Sequence, residues 1–437
     1  MTKNKRERNT IFISIASYRD PELVKTIDDC LDKAKYPNNL RFGICWQHAE
    51  DEHDLEFKDK LDNEYNNNFR VIDIPYEKAK GVCFARSSIQ SLYKGEKYHL
   101  MLDSHHRFEK NWDTTLIKMI KDLKAAGHKK PLLTAYIPSF DPDNDPAGRA
   151  RVPWKMNFDR FIPEGAVFFL PADISDYKTR KLPPTCRFFS AHFCFVEGEW
   201  INEVPYDPNY YFHGEEINLA ARSYTHGYDL FHPHKVVVWH EYTRKGRTKA
   251  WDDDSIWVDR NTASHLRNRK LFGMDGEKQD IKFGKYGFGK ERTLKDYEAY
   301  SGICFSNRGV QQYVIDAAKG SINYAPNPEK FKTKKAYRDS FLQIYKHCID
   351  VGYENVPLKD YEFWVVAFKD EQDKDIFRKD ADKQEIANMM KDPDGYCKIW
   401  REFNVDKPPH SWIVWPFSTS KGWCDPITGI LNSAVVS

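Results

Sequence analysis

The sequence predicts an α/β fold: an open, mostly parallel sheet with helices on both faces, followed by a smaller C-terminal domain that is α/β or mostly helical. Three observations predict it. Short, β-rich apolar runs alternate with amphipathic stretches through the first third of the chain, with brief connections. The chain has 437 residues, more than one ordinary domain needs. Composition shifts at FGKYGFGKER (Phe283–Arg292), which reads as a linker. The expected domains are therefore 1–290 and 291–437.

The elements follow in order. IFISIAS (Ile11–Ser17) is a short apolar strand, and PELVKTIDDCLDKAK (Pro21–Lys35) a helix with Pro at a first helical position. LRFGICWQ (Leu40–Gln47) and FRVIDIPY (Phe69–Tyr76) are strands. GVCFARSSIQSLYKG (Gly81–Gly95) is a helix with Gly at each end. YHLMLDS (Tyr98–Ser104) is a fourth strand, NWDTTLIKMIKDLKAAG (Asn111–Gly127) a helix and PLLTAYIPS (Pro131–Ser139) a strand. Phe140–Gly165 is rich in Pro, Asp and Gly and reads as a long loop. Strand signals return in CRFFSAHFCFVEG and DLFHPHKVVVWHEY, on either side of GEEINLAARSYTHG, a helix opened by two glutamates.

Bulk composition narrows the function. The net charge of +2, from 67 basic and 65 acidic residues, gives no global field for nucleic acid. The nine cysteines include no CxxC pair and suit free thiols in a reducing compartment. MTKNKRERNT has no apolar signal region and no run reaches transmembrane length, so a cytoplasmic protein without a membrane span is expected. No GxGxxG, GxxxxGK[ST] or GxSxG occurs, which removes the motif support for dinucleotide, P-loop and serine-hydrolase chemistry.

The chemistry-bearing residues lie at strand ends. Ligands of such sheets sit beyond the carboxyl ends of the strands, where YHLMLDSHH places its polar residues. Asp103 and His105, two apart in an extended chain, share a side and can reach one divalent cation together; His106 points away. Read alone, the pair also fits a solvated strand end. Six of the fifteen histidines fall between His192 and His240. His240 closes KVVVWH and is a third candidate ligand; His232 and His234 form a second metal-capable pair before that strand. Glu215 and Glu216 gain from the helix dipole, and either carboxylate can orient or deprotonate an acceptor hydroxyl. Arg86 is placed to face a diphosphate. No HExxH occurs, which weakens a zinc-protease reading.

The order of these signals resembles one family. SYRDPEL after the first strand, G-x-x-x-A-R in a helix, then E-x-Y-x-L-x-L-D-S-H-x-R-F-x-x-x-W-D, VPYDPNYYFHGEEINLAARSYTHGYDLFHP, VWHEYTR and HLRNRKLFG are similar to the N-acetylglucosaminyltransferases that modify hydroxyproline in the cytoplasm, and to their bacterial and viral relatives. The resemblance runs from Ile11 to Gly273 and leaves out Thr293–Ser437. It implies a GT-A fold, UDP-GlcNAc as donor and a divalent ion, usually manganese. Asp103, Ser104 and His105 would correspond to the Asp-x-Asp-type motif, with Asp103 and His105 on the metal and Asp103 and Ser104 at the nucleotide. His240 would close the metal site from a far strand. Ser17, Tyr18, Arg19 and Arg86 would lie at the nucleotide. Glu215 and Glu216, with Arg222 after them, would face acceptor and donor sugar. Transfer with retention of anomeric configuration is a further implication.

The residues agree with it chemically. A metal on a diphosphate makes a good leaving group, and two imidazoles suit Mn²⁺ better than Mg²⁺. The expected function is thus metal-dependent transfer of a sugar from a UDP-sugar to a hydroxyl on a protein, a glycan or a modified nucleobase. A zinc-dependent hydrolase built on the histidines, or a sugar- or nucleic-acid-binding module without catalysis, are the alternatives. Residues 291–437 are the expected place for acceptor recognition or oligomerisation.

Overall fold

The computed structural model describes residues 9–431, except 66, 163, 245, 279, 392–396 and 406–407. Most of the polar leader MTKNKRERNT lies outside the described residues. The chain forms two compact units, one of residues 1–159, 165–306 and 313–330, the other of 160–164, 307–312 and 331–437.

The first unit holds β1 (Ile11–Tyr18), α1 (Leu23–Lys33), β2 (Leu40–His48), α2 (Glu52–Asn63), β3 (Phe69–Pro75), α3 (Val82–Gln90), β4 (Tyr98–Asp103), β5 (His106–Phe108), α4 (Trp112–Ala125), β6 (Pro131–Thr134), β7 (Trp154–Phe161), β8 (Val167–Asp173), β9 (Phe193–Glu197), α5 (Trp200–Glu203), α6 (Glu215–Thr225), β10 (Asp229–Phe231), β11 (Val238–His240), α7 (Ala250–Asp253), α8 (Trp257–Phe272) and α9 (Leu294–Ser301). Seven strands form one sheet in the order β10-β6-β9-β4-β1-β2-β3. Only β9 runs antiparallel, against β4 and β6. The expected mostly parallel α/β sheet is what the residues build.

Both faces of the sheet are covered, which is why β1 reads as a continuous apolar run. Ile11, Ile13 and Ile15 pack in one cluster with Leu23, Val24 and Ile27 of α1 and Leu116 and Ile120 of α4. Phe12 faces the other way, toward Ile89 of α3 across Gly43, where an added Cβ would meet the Phe12 ring at 2.4 Å. The helix α3 opens on Gly81, whose φ of +92° is open to glycine; a Cβ there would also strike Tyr211 at 2.5 Å.

Three features go beyond the sequence expectations. The helix α2 carries no clear apolar stripe, burying only Asp54 and Phe57, so its periodicity was too weak to read. The loop Phe140–Gly165 contains the strand β7. The expected linker is pinned to the first unit: the backbone N–H of Gly289 donates to Thr225 Oγ1 at 2.9 Å and Arg292 pairs with Asp229 at 2.6 Å. Tyr297 and Tyr300 then donate to the carbonyls of Arg187 and Cys186, each at 2.8 Å. Residue 290 therefore falls inside the first compact unit.

The second unit is built on antiparallel strands with short helices. Phe341–Asp350 pairs with Gly309–Gln311 and Lys398–Val405. Tyr361–Lys369 pairs with Asp375–Arg378 and Ser411–Ser418, and the last continues onto Gly422–Trp423 and Ile427–Ile430. Trp364, Val366, Phe368, Ile399, Phe403 and Val414 fill its core. All nine cysteines of the chain are free, and no helix among the described residues is long and apolar enough to cross a membrane.

Candidate active site

The site forms where β1 and β4 end side by side, with Ala16 opposite Asp103. The chain passes Ser104 and His105 into β5, which pairs antiparallel with β11 and sets His106 opposite His240. This register carries His240, 137 residues after Asp103 (240 − 103), to the end of β4. One ligand atom from each of Asp103, His105 and His240 lies within 4.8 Å of the others. Nε2 of His240 and of His105 stand 3.4 Å and 3.7 Å from Asp103 Oδ2.

The donor set fits a divalent ion. Neither ring nitrogen of His240 has a hydrogen-bond partner, although both are shielded from solvent. Burial, reinforced by the neighbouring His192 and His105, keeps the His240 imidazole well below its ordinary pKa and hence neutral, the form that ligates. Packing around Asp103 would raise its carboxyl, but the Arg86 guanidinium and the two imidazoles outweigh that and hold it well below the carboxylate range.

Behind the ligands lies a residue that the sequence reading passed over. Asp20 accepts from His105 Nδ1 at 2.7 Å and from Ser104 Oγ at 2.7 Å. A carboxylate on the far nitrogen fixes the tautomer of a ligating imidazole and raises its basicity. Burial works against the charge on Asp20, yet His105 and Arg247 keep it below the usual carboxylate range. The signal was present in SYRDPEL, next to the three residues that were singled out.

Arg86 does not face open solvent. It is buried between Glu215, at 3.0 and 3.1 Å, and Asp103, at 2.5 Å. Tyr206 Oη–H and Cys83 Sγ–H also donate to Glu215, which thus accepts from three side chains. Glu216 differs. It accepts from Tyr136 Oη at 3.0 Å and from the Ala191 N–H at 2.9 Å. Its carboxyl is pushed up to about 7 by burial, with the Glu215 charge adding to the rise.

Two cavities meet at the ligands. One, of about 170 Å³, is lined by Tyr18, Asp20, Ser104, His105, Tyr211, Trp251 and the basic Arg247 and Lys249. The other, of about 280 Å³, is lined by Arg86, Tyr136, Phe168, His192, Tyr242 and both Glu215 and Glu216. Asp103, His240, Phe212 and Arg244 border both. The basic run TRKGRTK after β11 was the legible signal for Arg244, Arg247 and Lys249.

The other expected residues are placed as follows. Tyr18 lines the first cavity and donates to Asp253 at 2.8 Å. Arg19, at a φ of +45°, is turned to Asp51 and Asp253. Ser17 is buried and its hydroxyl has no partner. Arg222 is fully buried against the carbonyls of Pro205, Lys285 and Gly287, a structural role. His106 is buried with its ring 5.0 Å from that of His240, but it is outside the ligand set. His232 Nδ1–H donates to the Thr134 carbonyl at 3.0 Å, and neither it nor His234 joins a metal-capable group among the described residues. The hydrolase reading thereby loses its second histidine pair.

A cluster of two imidazoles and one carboxylate, able to hold a divalent ion, lies between the two cavities at the carboxyl edge of this sheet. The model of the GlcNAc glycosyltransferase family matches residues 10–64 and 49–307. The chain belongs to that family. No curated protein matches the chain. Among solved structures, it is similar to GalNAc-T7 with UDP, GalNAc and Mn²⁺ at 17% identity and a TM-score of 0.47, covering 66% of this chain and 54% of that one. It is also similar to the mannosyltransferase PcManGT from Pyrobaculum calidifontis in complex with GDP-Man and Mn²⁺, at 13% identity and a TM-score of 0.37, covering 60% of this chain and 64% of that one. A third is S. aureus TarS 1–349 in complex with UDP, at 11% identity and a TM-score of 0.33, covering 62% of this chain and 75% of that one. The chain thus spans about half the length of the first of these.

Proposed function

We propose that the chain transfers a sugar, GlcNAc, from UDP-GlcNAc to a hydroxyl carried by a macromolecule, in a metal-dependent reaction that retains anomeric configuration. The observation that carries this reading is the convergence of Asp103, His105 and the unpartnered His240 on one point between the two cavities. These three residues would hold the ion, for which the two imidazoles favour Mn²⁺ over Mg²⁺. A bound divalent ion would neutralise charge on the departing diphosphate.

The protein's own groups account for the rest. Arg244, Arg247 and Lys249 offer positive charge to phosphates, and Tyr18, Tyr211 and Trp251 offer rings to the base. Glu216 stands in the second cavity as the carboxylate able to take a proton from the acceptor hydroxyl. Glu215 holds Arg86, and through it Asp103, in place.

The test is UDP release and sugar transfer measured with and without Mn²⁺, alongside thermal scans with UDP and Mn²⁺. Mn²⁺-dependent release from UDP-GlcNAc, abolished in Asp103→Ala, is expected. Full activity in a chelator, or in that variant, would overturn the reading. Proton NMR of the first-formed product reads retention directly.

A further inference from the structure

The second unit carries a built aromatic face that the catalytic site does not use. The strands Tyr361–Lys369 and Ser411–Ser418 send Trp364, Val366, Phe368 and Val414 into the core. Alternation sends Phe363, Trp415 and Phe417 to the opposite face. The cross-strand register adds a fourth ring, since Phe363 pairs with Phe417 and Phe417 with Trp423. Phe363 stacks on Phe417 at 5.3 Å, Trp423 meets them edge-on at 5.6 and 5.2 Å, and Trp415 lies 4.6 Å from Trp423 at 40°.

Despite this packing, Trp415 and Trp423 stay 38% and 47% exposed. The Trp415 indole N–H donates to the Cys424 carbonyl at 2.8 Å. The ring is therefore held in one orientation and offers its face, not its polar edge. Farther along the same strand, a groove of about 370 Å³ is lined by Ser411, Trp412, Ile413, Thr428 and Ile430, together with Lys369 and Asp373.

We infer that this face binds a neutral glycan, with a hexose ring stacked on Trp415 and Trp423 and neighbouring hydroxyls in the groove. A hexose presents a CH-rich face that loses water well against an aromatic ring, and a rim of hydroxyls that needs donors and acceptors. The exposed indoles supply the first, and Ser411, Thr428, Lys369 and Asp373 the second. Charges in this sheet come in opposed signs: Lys369 pairs with Asp373 and Lys383 with Glu362, each at 3.1 Å, and Lys421 and Asp425 flank Trp423 in the sequence. Such pairing gives no net field to draw a polyanion. The inference uses no residue of the metal cluster and stands apart from the donor assignment.

The test titrates the full chain, without metal or nucleotide, with chitotetraose, cellohexaose and maltohexaose, followed by tryptophan fluorescence and calorimetry. Saturable binding of at least one oligosaccharide is expected. Trp423→Ala and Trp415→Ala should each weaken it by about tenfold or more while circular dichroism shows the variants still folded, and Trp423→Tyr, which keeps a ring, retains most of it. Absence of binding to all three by the wild-type chain would overturn the inference. So would binding that survives both alanine variants. Sedimentation showing a wild-type dimer that Trp423→Ala dissociates would assign the face to a second copy of the chain and would also overturn it.

Discussion

Arg86 donates to both oxygens of Glu215, at 3.0 and 3.1 Å, while its other terminal nitrogen reaches Asp103. This chain of charge separates the two adjacent glutamates into different roles. Glu215 is consumed by an ion pair in which both side chains are less than a tenth exposed. Glu216, one residue on, lines the same cavity but accepts from neutral donors, Tyr136 Oη and the Ala191 N–H.

The two glutamates should therefore respond differently to the same change. Glu215→Gln leaves Arg86 buried with a weaker partner, and removal of one member of a buried pair costs on the order of 3 kcal/mol. A clear fall in Tm is expected, read by calorimetry. Glu216→Gln should not lower Tm and should keep UDP binding, while lowering the transfer rate by about a hundredfold, the usual scale of a lost general base. Equal rates in Glu216→Gln and wild type would remove Glu216 from the chemistry.

The Glu216 carboxyl, raised to about 7, sets a pH dependence. A base works when deprotonated, so the transfer rate should climb as pH rises through about 7, and that inflection should vanish in Glu216→Gln. The linked stability has the opposite sign. A carboxyl whose folded pKa lies above its unfolded value favours the protonated fold, so its contribution is full below the unfolded pKa and is lost as pH rises toward 7. Glu216→Gln should accordingly gain Tm over wild type at pH 8 and show no gain at pH 4.

Metal dependence should follow the ligand set and spare its neighbour. Asp103→Asn and His240→Ala are expected to abolish the rise in Tm produced by Mn²⁺ with UDP. His106→Ala removes a fully buried ring and should lower Tm, yet keep the Mn²⁺ response, because His106 is outside the converging set. Loss of the response in His106→Ala with Tm intact would contradict the assignment.

Asp20 touches His105 and not the ligand point itself. Asp20→Asn should raise the Mn²⁺ concentration for half-maximal activity by about tenfold to a hundredfold, the usual cost of losing a carboxylate behind a ligating imidazole. Saturating Mn²⁺ should restore much of the rate, which simple misfolding would not allow.

Much was legible in the sequence because it depends on short-range pattern. Apolar runs with period two or continuous burial mark strands, and the polar residues after Leu102 mark a strand's carboxyl end. Asp103 and His105 share a side for the same local reason, and the ordered motifs from SYRDPEL to VWHEYTR carry the family. The weakly patterned α2 and the strand β7 escaped, since neither presents a clean apolar face. Tertiary structure decided everything that depends on which distant residues meet. The pairing of β5 with β11 brings His240 to Asp103. The burial of Arg86 between Glu215 and Asp103 gives two adjacent acids different partners, a guanidinium for Glu215 and neutral donors for Glu216. The turn after β1 aims Asp20 at His105 and sends Arg19 away to Asp51 and Asp253. Sequence spacing states which residues are available. Proximity, desolvation and competing partners decide which of them can act, and those exist only once the chain is folded.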